Sequence, residues 1–283
     1  MERREGITCA ARALSLIVLM SAASWPRWSE AAGDLIGGGI GGPGTFIMND
    51  GNIIIDPGLN LVFSGSISGT GKVIKRGAGS QTFMGNCTYS GGTFIEGGTF
   101  VVDNPEGAPT GVGIVQVSSG ATLTGSGGTR GLLTILPGGI LSPGDGINSM
   151  EVSGGLDLRA GSILKMNVGS LTSDRLYVDG GDLIASAVIL QLASAPGPLT
   201  EGAAVTILDW NGSIPHDITI DKFSLDPAGL QGSLRIPAGS HRLEFVAPEP
   251  GLCVIGAAAT IFCLRSTRRK TTRLVLLNPD AQQ

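Results

Sequence analysis

The chain has few of the residues that usually carry chemistry or cross-links. Its 283 residues include four cysteines, two histidines and three tryptophans, with 5% aromatic and 15% charged residues. Cys9 precedes the first apolar run and Cys253 and Cys263 lie in the last, so Cys87 stands alone between them. One thiol cannot build a disulfide framework, and no Cys-x-x-Cys zinc pattern occurs. With no activating base beside it in sequence, Cys87 reads as a small buried residue. Basic residues are also scarce: residues 32–247 hold ten against 18 acidic ones, and the other nine Lys and Arg lie at the two ends. An acidic body without a basic stripe excludes binding to nucleic-acid phosphates.

Glycine is abundant, at 46 of 283 residues. No Gly-x-y period exists, which excludes collagen, and a 42% hydrophobic content supplies a buried core. Turn-like pieces ending in glycine recur at Gly58, Gly79, Gly98, Gly120, Gly139, Gly161, Gly181 and Gly202, at intervals of about 20 residues. Three residues beyond them stand Leu61, Thr82, Val101, Leu123, Ser142, Leu164, Ile184 and Val205, six of them aliphatic. A short coil cannot bury its apolar face alone, whereas stacked coils share a continuous core. The expected fold is all-β, a β-solenoid of eight coils of ~20 residues over residues 32–245. Residues 35–40 and 209–245 are the material for capping its ends. A β-sandwich is the alternative.

The ends carry addresses. Residues 1–31 read as a signal peptide: Arg3, Arg4 and Arg12, then an apolar run from Ala13 to Met20 too short to span a bilayer, then small residues that place the cut after Ala23 or Ala31. At the other end Pro248-Glu249-Pro250 precedes the uncharged residues 251–264 and the basic cluster Arg265, Arg268, Arg269 and Lys270. As a helix, residues 251–264 span ~21 Å and form one short transmembrane segment; the basic cluster stays cytoplasmic and the body lies outside. The order of motif, helix and basic cluster over residues 246–270 resembles the PEP-CTERM sorting signal of bacterial exported proteins. That resemblance implies recognition of Pro248, Glu249 and Pro250 by an exosortase-type membrane enzyme that removes the helix. The tail of residues 271–283 departs from it.

Residues 63–104 resemble an autotransporter-associated β-strand repeat, most clearly in Gly65-Ser66-Ile67-Ser68-Gly69-Thr70-Gly71 and Gly91-Gly92-Thr93-Phe94-Ile95-Glu96-Gly97-Gly98. The resemblance implies a right-handed parallel β-helix displayed outside the cell. The translocator barrel of autotransporters does not follow the repeat, and the sorting end stands in its place.

Other motifs fail on inspection. Gly65 to Lys72 has five residues between Gly65 and Gly71, and Val73 in place of a magnesium-binding hydroxyl, so it is repeat sequence and not a phosphate loop. Asp174, Asp179 and Asp182 lack calcium-loop glycines and read as solvated turn acids. His216 and His241 form no triad by spacing, and His216 reads as a loop residue. Trp210 is the one tryptophan away from the signal region, too few to line a sugar cleft. Asn86-Cys87-Thr88 and Asn211-Gly212-Ser213 match a weak glycosylation pattern. The expectation is a non-enzymatic, cofactor-free protein at the cell surface or in the extracellular matrix, structural or adhesive. Its expected partners are signal peptidase, the secretion machinery, an exosortase-type enzyme and extracellular polysaccharide. A polysaccharide-binding or polysaccharide-degrading β-helix is the alternative.

Overall fold

The computed structural model describes residues 35–248 apart from residues 38–39, 49–50, 57, 59, 105–106, 145, 196–198, 213–215 and 217. Short runs of alternating apolar and polar residues cannot form helices with a buried stripe, and no α-helix occurs among the described residues. They form strands of three to seven residues stacked coil upon coil. In the first sheet, Leu35–Gly37, Ile53–Ile55, Val73–Lys75, Thr93–Ile95, Val115–Val117, Leu133–Ile135, Leu156–Leu158 and Leu183–Ala185 pair in parallel, each with the next. A second eight-stranded parallel sheet runs from Leu61–Phe63 to Phe223–Leu225. A third side is shorter: Ser149–Val152, Arg175–Val178 and Ala204–Trp210 pair in parallel there.

Parallel pairing through all three sides defines a β-solenoid and overturns the sandwich alternative. Each main sheet stacks eight strands, but the circuit closes for about six turns rather than the eight expected. At ~4.8 Å per step the stack is roughly 30 Å long.

The core is the inside of the stack. In the five strands of the first sheet from Ile53–Ile55 to Leu133–Ile135, the outer two residues point inward and the middle one outward, so Ile53, Ile55, Val73, Ile95, Val115, Val117, Leu133 and Ile135 are all buried. Phe46, Phe63, Phe83 and Phe100 stack up the interior with ring centroids 5.5, 5.4 and 4.8 Å apart. Of the polar side chains buried in the stack, Lys75, Gln81 and Thr93 are each satisfied there. The Lys75 ammonium donates to the carbonyls of Arg76, Gly77 and Gly97, at 2.6, 3.0 and 2.9 Å. Gln81 clamps the first coil, accepting from the Ile40 amide and donating to its carbonyl. Thr93 accepts from the Tyr89 hydroxyl and donates to the Thr110 carbonyl.

The turn between the first and second sheets carries a ladder of its own. Gly120 donates to the Gly138 carbonyl, Gly138 to Gly161, and Gly161 to Ala187. Gly120, Gly138 and Gly161 have φ of 73°, 74° and 79°, and Ala187, at φ 43°, is the one non-glycine with positive φ among the described residues. The turn register expected from sequence therefore needs correction. The equivalent position is Gly138 and not Gly139, and in the coil after Gly161 it is Ala187. Gly181 precedes the strand Leu183–Ala185 and Gly202 precedes Ala204–Trp210, so both belong to other turns. Counted from the corrected positions, the third residue onward is Leu123, Leu141, Leu164 and Leu190, all fully buried and mutually in register. In the shorter turns before them the inward residues are Gln81 and Phe100, while Thr82 and Val101 point outward.

The two ends close differently. Leu35–Gly37 is the edge strand of the first sheet rather than a separate cap. At the C-terminal end, Arg242–Val246 lies antiparallel between Ala204–Trp210 and Ser233–Arg235. The buried Glu244 accepts from Arg235 and Arg242 there, both at 2.7 Å.

Replacing Leu123 with Asp puts a charge into the closed stack and should cost about 3–5 kcal/mol. Asp182→Asn, at an exposed turn position, should stay within about 0.5 kcal/mol. Ala187→Gly relieves the left-handed backbone and should stabilise by about 0.5–1 kcal/mol. Urea unfolding of the three variants reads all of these, and equal losses at positions 123 and 182 would contradict the register.

Candidate functional site

Pro248 is exposed and directly follows Ala247, whose amide donates to the Ala203 carbonyl at 2.9 Å. Val246 pairs with Ala204 on one side and Ser233 on the other. The packed fold thus reaches to the first residue of the Pro248-Glu249-Pro250 motif. Glu249, Pro250, residues 251–264, Arg265, Arg268, Arg269, Lys270 and the cut-site candidates Ala23 and Ala31 lie outside the described residues. Among the described residues no helix is long and apolar enough to cross a membrane.

The motifs set aside in the sequence take definite places. Ser66–Gly69 is a strand paired with Thr45–Met48, and Val73–Lys75 is a strand where a phosphate loop would lead into a helix. Lys72 lies over the Phe94 ring, 5.4 Å from its centre. Cys87 is fully buried, and burial pushes its thiol up to about 11. Asp179 and Asp182 are exposed, as expected of turn acids, but Asp174 is not. It is fully buried and accepts from the amides of Asn148 and Asn167 at 2.9 and 2.7 Å and from the Asn167 side chain at 3.0 Å. A carboxylate that collects three N–H groups fixes a corner of the coil, which corrects its reading as a solvated acid. Among the described residues no group of three or more His, Cys, Asp or Glu is placed to hold a metal ion.

His216 and His241 are both exposed, but the fold brings them together, with ring centroids 6.0 Å apart. Trp210 lies 5.3 Å from the first ring and 6.3 Å from the second, and its own ring is buried. Spacing could not show this, because the backbone bond from the Trp210 amide to the His241 carbonyl is made by the antiparallel closing strand.

A second grouping was missed entirely. On the outer face of the third sheet, Ser149 lies beside Arg175, and Glu151 beside Tyr177, which in turn lies beside Asp209. These residues alternate with the buried Met150, Val152, Leu176, Val178 and Leu208, so the same strands that seal the core present a polar outer surface. Arg175 pairs with Asp209, and its guanidinium carbon sits 5.8 Å from the centre of the Tyr177 ring. The Tyr177 hydroxyl donates to Asp179 at 3.1 Å. That bond and the negative charge of Asp179, Asp209 and Glu151 raise its pKa above the ordinary tyrosine value. Ser126 and Gly127 of the preceding coil also line this face, and the cleft, open to solvent, has a volume of about 310 Å³. The detectable signal was the strict alternation in Ser149-Met150-Glu151-Val152 and Arg175-Leu176-Tyr177-Val178, which puts two polar pairs on one face.

The fold defines the chain as a parallel β-solenoid, and one segment of it is similar to an autotransporter-associated repeat. The passenger-associated-transport-repeat family matches residues 73–102, inside the unit that the sequence marks at residues 63–104. No curated protein matches the chain. The matched segment contains Lys75, Thr93 and Gly98, which tie one coil to the next. Gly98 has φ 63°, and a Cβ there would fall 2.8 Å from the Lys75 Nζ and closer still to the Gly77 and Gly79 carbonyl oxygens.

The buried thiol makes a pH prediction. Its folded pKa is raised above the unfolded value, so its contribution is fully present below about pH 9 and lost as pH climbs through about 11. Between pH 8 and pH 11 the wild type should lose about 2–3 kcal/mol more stability than Cys87→Ala. Parallel denaturant titrations at the two pH values check this. The alkaline changes due to Lys75, lowered by burial, and Tyr89, raised by it, cancel in the comparison.

Proposed function

We propose that the chain is an exported structural or adhesive β-helix, held at the cell surface or in the extracellular matrix. The repeat match and the parallel β-helix fold fit such a protein. The right-handed winding implied by the repeat resemblance belongs to this reading. We assign it no catalytic activity and no cofactor. Residues 1–31 deliver it to the secretion machinery and signal peptidase. Pro248-Glu249-Pro250, the apolar residues 251–264 and the cluster Arg265, Arg268, Arg269 and Lys270 then hold it in the membrane for an exosortase-type enzyme. The observation that carries the reading is the abrupt junction at Ala247. A rigid closing strand ends there, with the Pro-Glu-Pro motif beginning at the next residue. Proline on both sides of Glu249 keeps the segment extended, a form suited to an enzyme groove.

A second reading, polysaccharide binding, is favoured by the cleft on the third sheet. Retention in the matrix then adds to attachment through the C-terminus.

Changing Pro248, Glu249 and Pro250 to alanine leaves both the apolar length and the basic cluster intact. In a host carrying the sorting enzyme, export should continue while the protein stays in the membrane fraction at its uncut mass. Intact mass spectrometry of cell and medium fractions reads the result. Equal mass and equal membrane fraction for wild type and variant would remove the sorting role.

A further inference from the structure

The cleft on the third sheet has a chemistry that the packing of the coils does not require. Its walls combine serine hydroxyls (Ser126, Ser149), a carboxylate (Glu151), a guanidinium (Arg175) and the flat ring of Tyr177. Among the described residues the Glu151 carboxylate accepts from the Ser153 hydroxyl, just past the end of its own strand, at 3.1 Å. A volume of about 310 Å³ lies at the lower end of small-molecule pockets, roughly 300–1,000 Å³, which is the scale of one or two sugar rings. A pyranose presents both donors and acceptors at its rim and an apolar C–H face. Hydroxyls, an acid and a guanidinium around an aromatic ring match all three features.

The charge selects among saccharides. Glu151 and Asp209 flank Tyr177 and Asp179 accepts from its hydroxyl, while Arg175 is committed to Asp209 and Arg242, beside Asp209 in register, to Glu244. A uronate or sulfated unit would bring a fourth negative group into this surrounding, without a free cation to meet it. An uncharged sugar meets no such repulsion.

From this arrangement we infer that the outer face of the third sheet is a binding site for an uncharged glycosyl unit of a polysaccharide, with the ring stacked on Tyr177 and hydroxyls held by Ser149, Glu151 and Arg175. The assignment rests on the polysaccharide-binding reading above and is independent of the sorting signal. It places the site on the rigid part of the fold, where successive coils repeat the strand direction and a polymer chain could continue past the cleft.

The test uses the full chain in a phosphocholine detergent, which carries no sugar headgroup, and calorimetric titration with uncharged hexasaccharides of glucose, mannose, galactose and N-acetylglucosamine. An oligogalacturonate hexamer serves as the anionic comparison. At least one uncharged hexamer should bind saturably and at least tenfold more tightly than oligogalacturonate. Tyr177→Ala should weaken that binding at least tenfold, while Tyr177→Phe, which keeps the ring, should hold it within about threefold. Glu151→Gln should narrow the gap to oligogalacturonate, and the amide dispersion of each variant in NMR spectra shows that the solenoid is intact. Binding of an uncharged hexamer that Tyr177→Ala leaves unchanged would overturn this site and leave polysaccharide binding standing elsewhere. Preference for oligogalacturonate would overturn the uncharged-sugar assignment and leave polysaccharide binding standing, and no binding of any hexamer, uncharged or anionic, at millimolar concentration would overturn both.

Discussion

Among the described residues, the inward side chains of this fold pack chiefly against those of the coil directly above or below. For apolar residues this packing is made by columns such as Leu123, Leu141, Leu164 and Leu190, and by the ladder of phenylalanine rings. The stricter cases are polar. An ammonium moved out of water costs several kcal/mol unless its protons are met. Lys75 is fully buried, and its three hydrogen bonds go to carbonyls of two successive turns. Those carbonyls are reachable because Gly98 leaves room for the Nζ. The buried cation is therefore a register pin. A slip of one residue would turn it outward and leave the Gly97 carbonyl without it.

The same constraint explains where the surface is free to vary. Turn positions that support the stack are nearly fixed in conformation, and Gly120, Gly138, Gly161 and Ala187 keep one hydrogen-bonded ladder through coils of unequal length. Extra residues enter on the third side, where Thr45–Met48 pairs with Ser66–Gly69 in the early coils and the strands Ser149–Val152, Arg175–Val178 and Ala204–Trp210 stack in the later ones. Outward positions there carry no packing duty, and that is where the polar cleft lies. The antiparallel closing strand ends the pattern by pairing on both edges, with Glu244 between two arginines, and leads into the Pro-Glu-Pro motif without slack.

Much of this was legible in the sequence, for a definite reason. Gly98, Gly120 and Gly161 fall in the expected turns because positive φ favours glycine and short turns recur with every coil. The parallel repeat at residues 73–102 was legible for the same reason. The register failed where glycine stopped marking the turn. Ala187 holds a left-handed conformation that its own identity does not announce, and the lengthened coils moved Gly181 and Gly202 into other turns. Polar groups inside the stack were illegible one at a time. Asp174 looks like any turn acid until Asn148 and Asn167 are brought against it from either side. The cleft draws Ser126, Glu151 and Tyr177 from successive coils, and the pairing of Trp210 with two histidines depends on the antiparallel closing strand. Contacts between coils follow from register, and register is what composition and spacing leave least determined.

The central claim is that the coils are parallel and aligned residue for residue, with Gln116 lying between Phe94 and Thr134. Residue-resolved nuclear Overhauser measurements on isotope-labelled protein test it directly, since parallel and antiparallel strands bring different backbone protons together. The account predicts contacts from the Gln116 backbone to Phe94 on one side and Thr134 on the other, with the weak cross-strand Hα–Hα signals of parallel pairing. Strong Hα–Hα contacts between these strands, or partners displaced from Phe94 and Thr134, would contradict it.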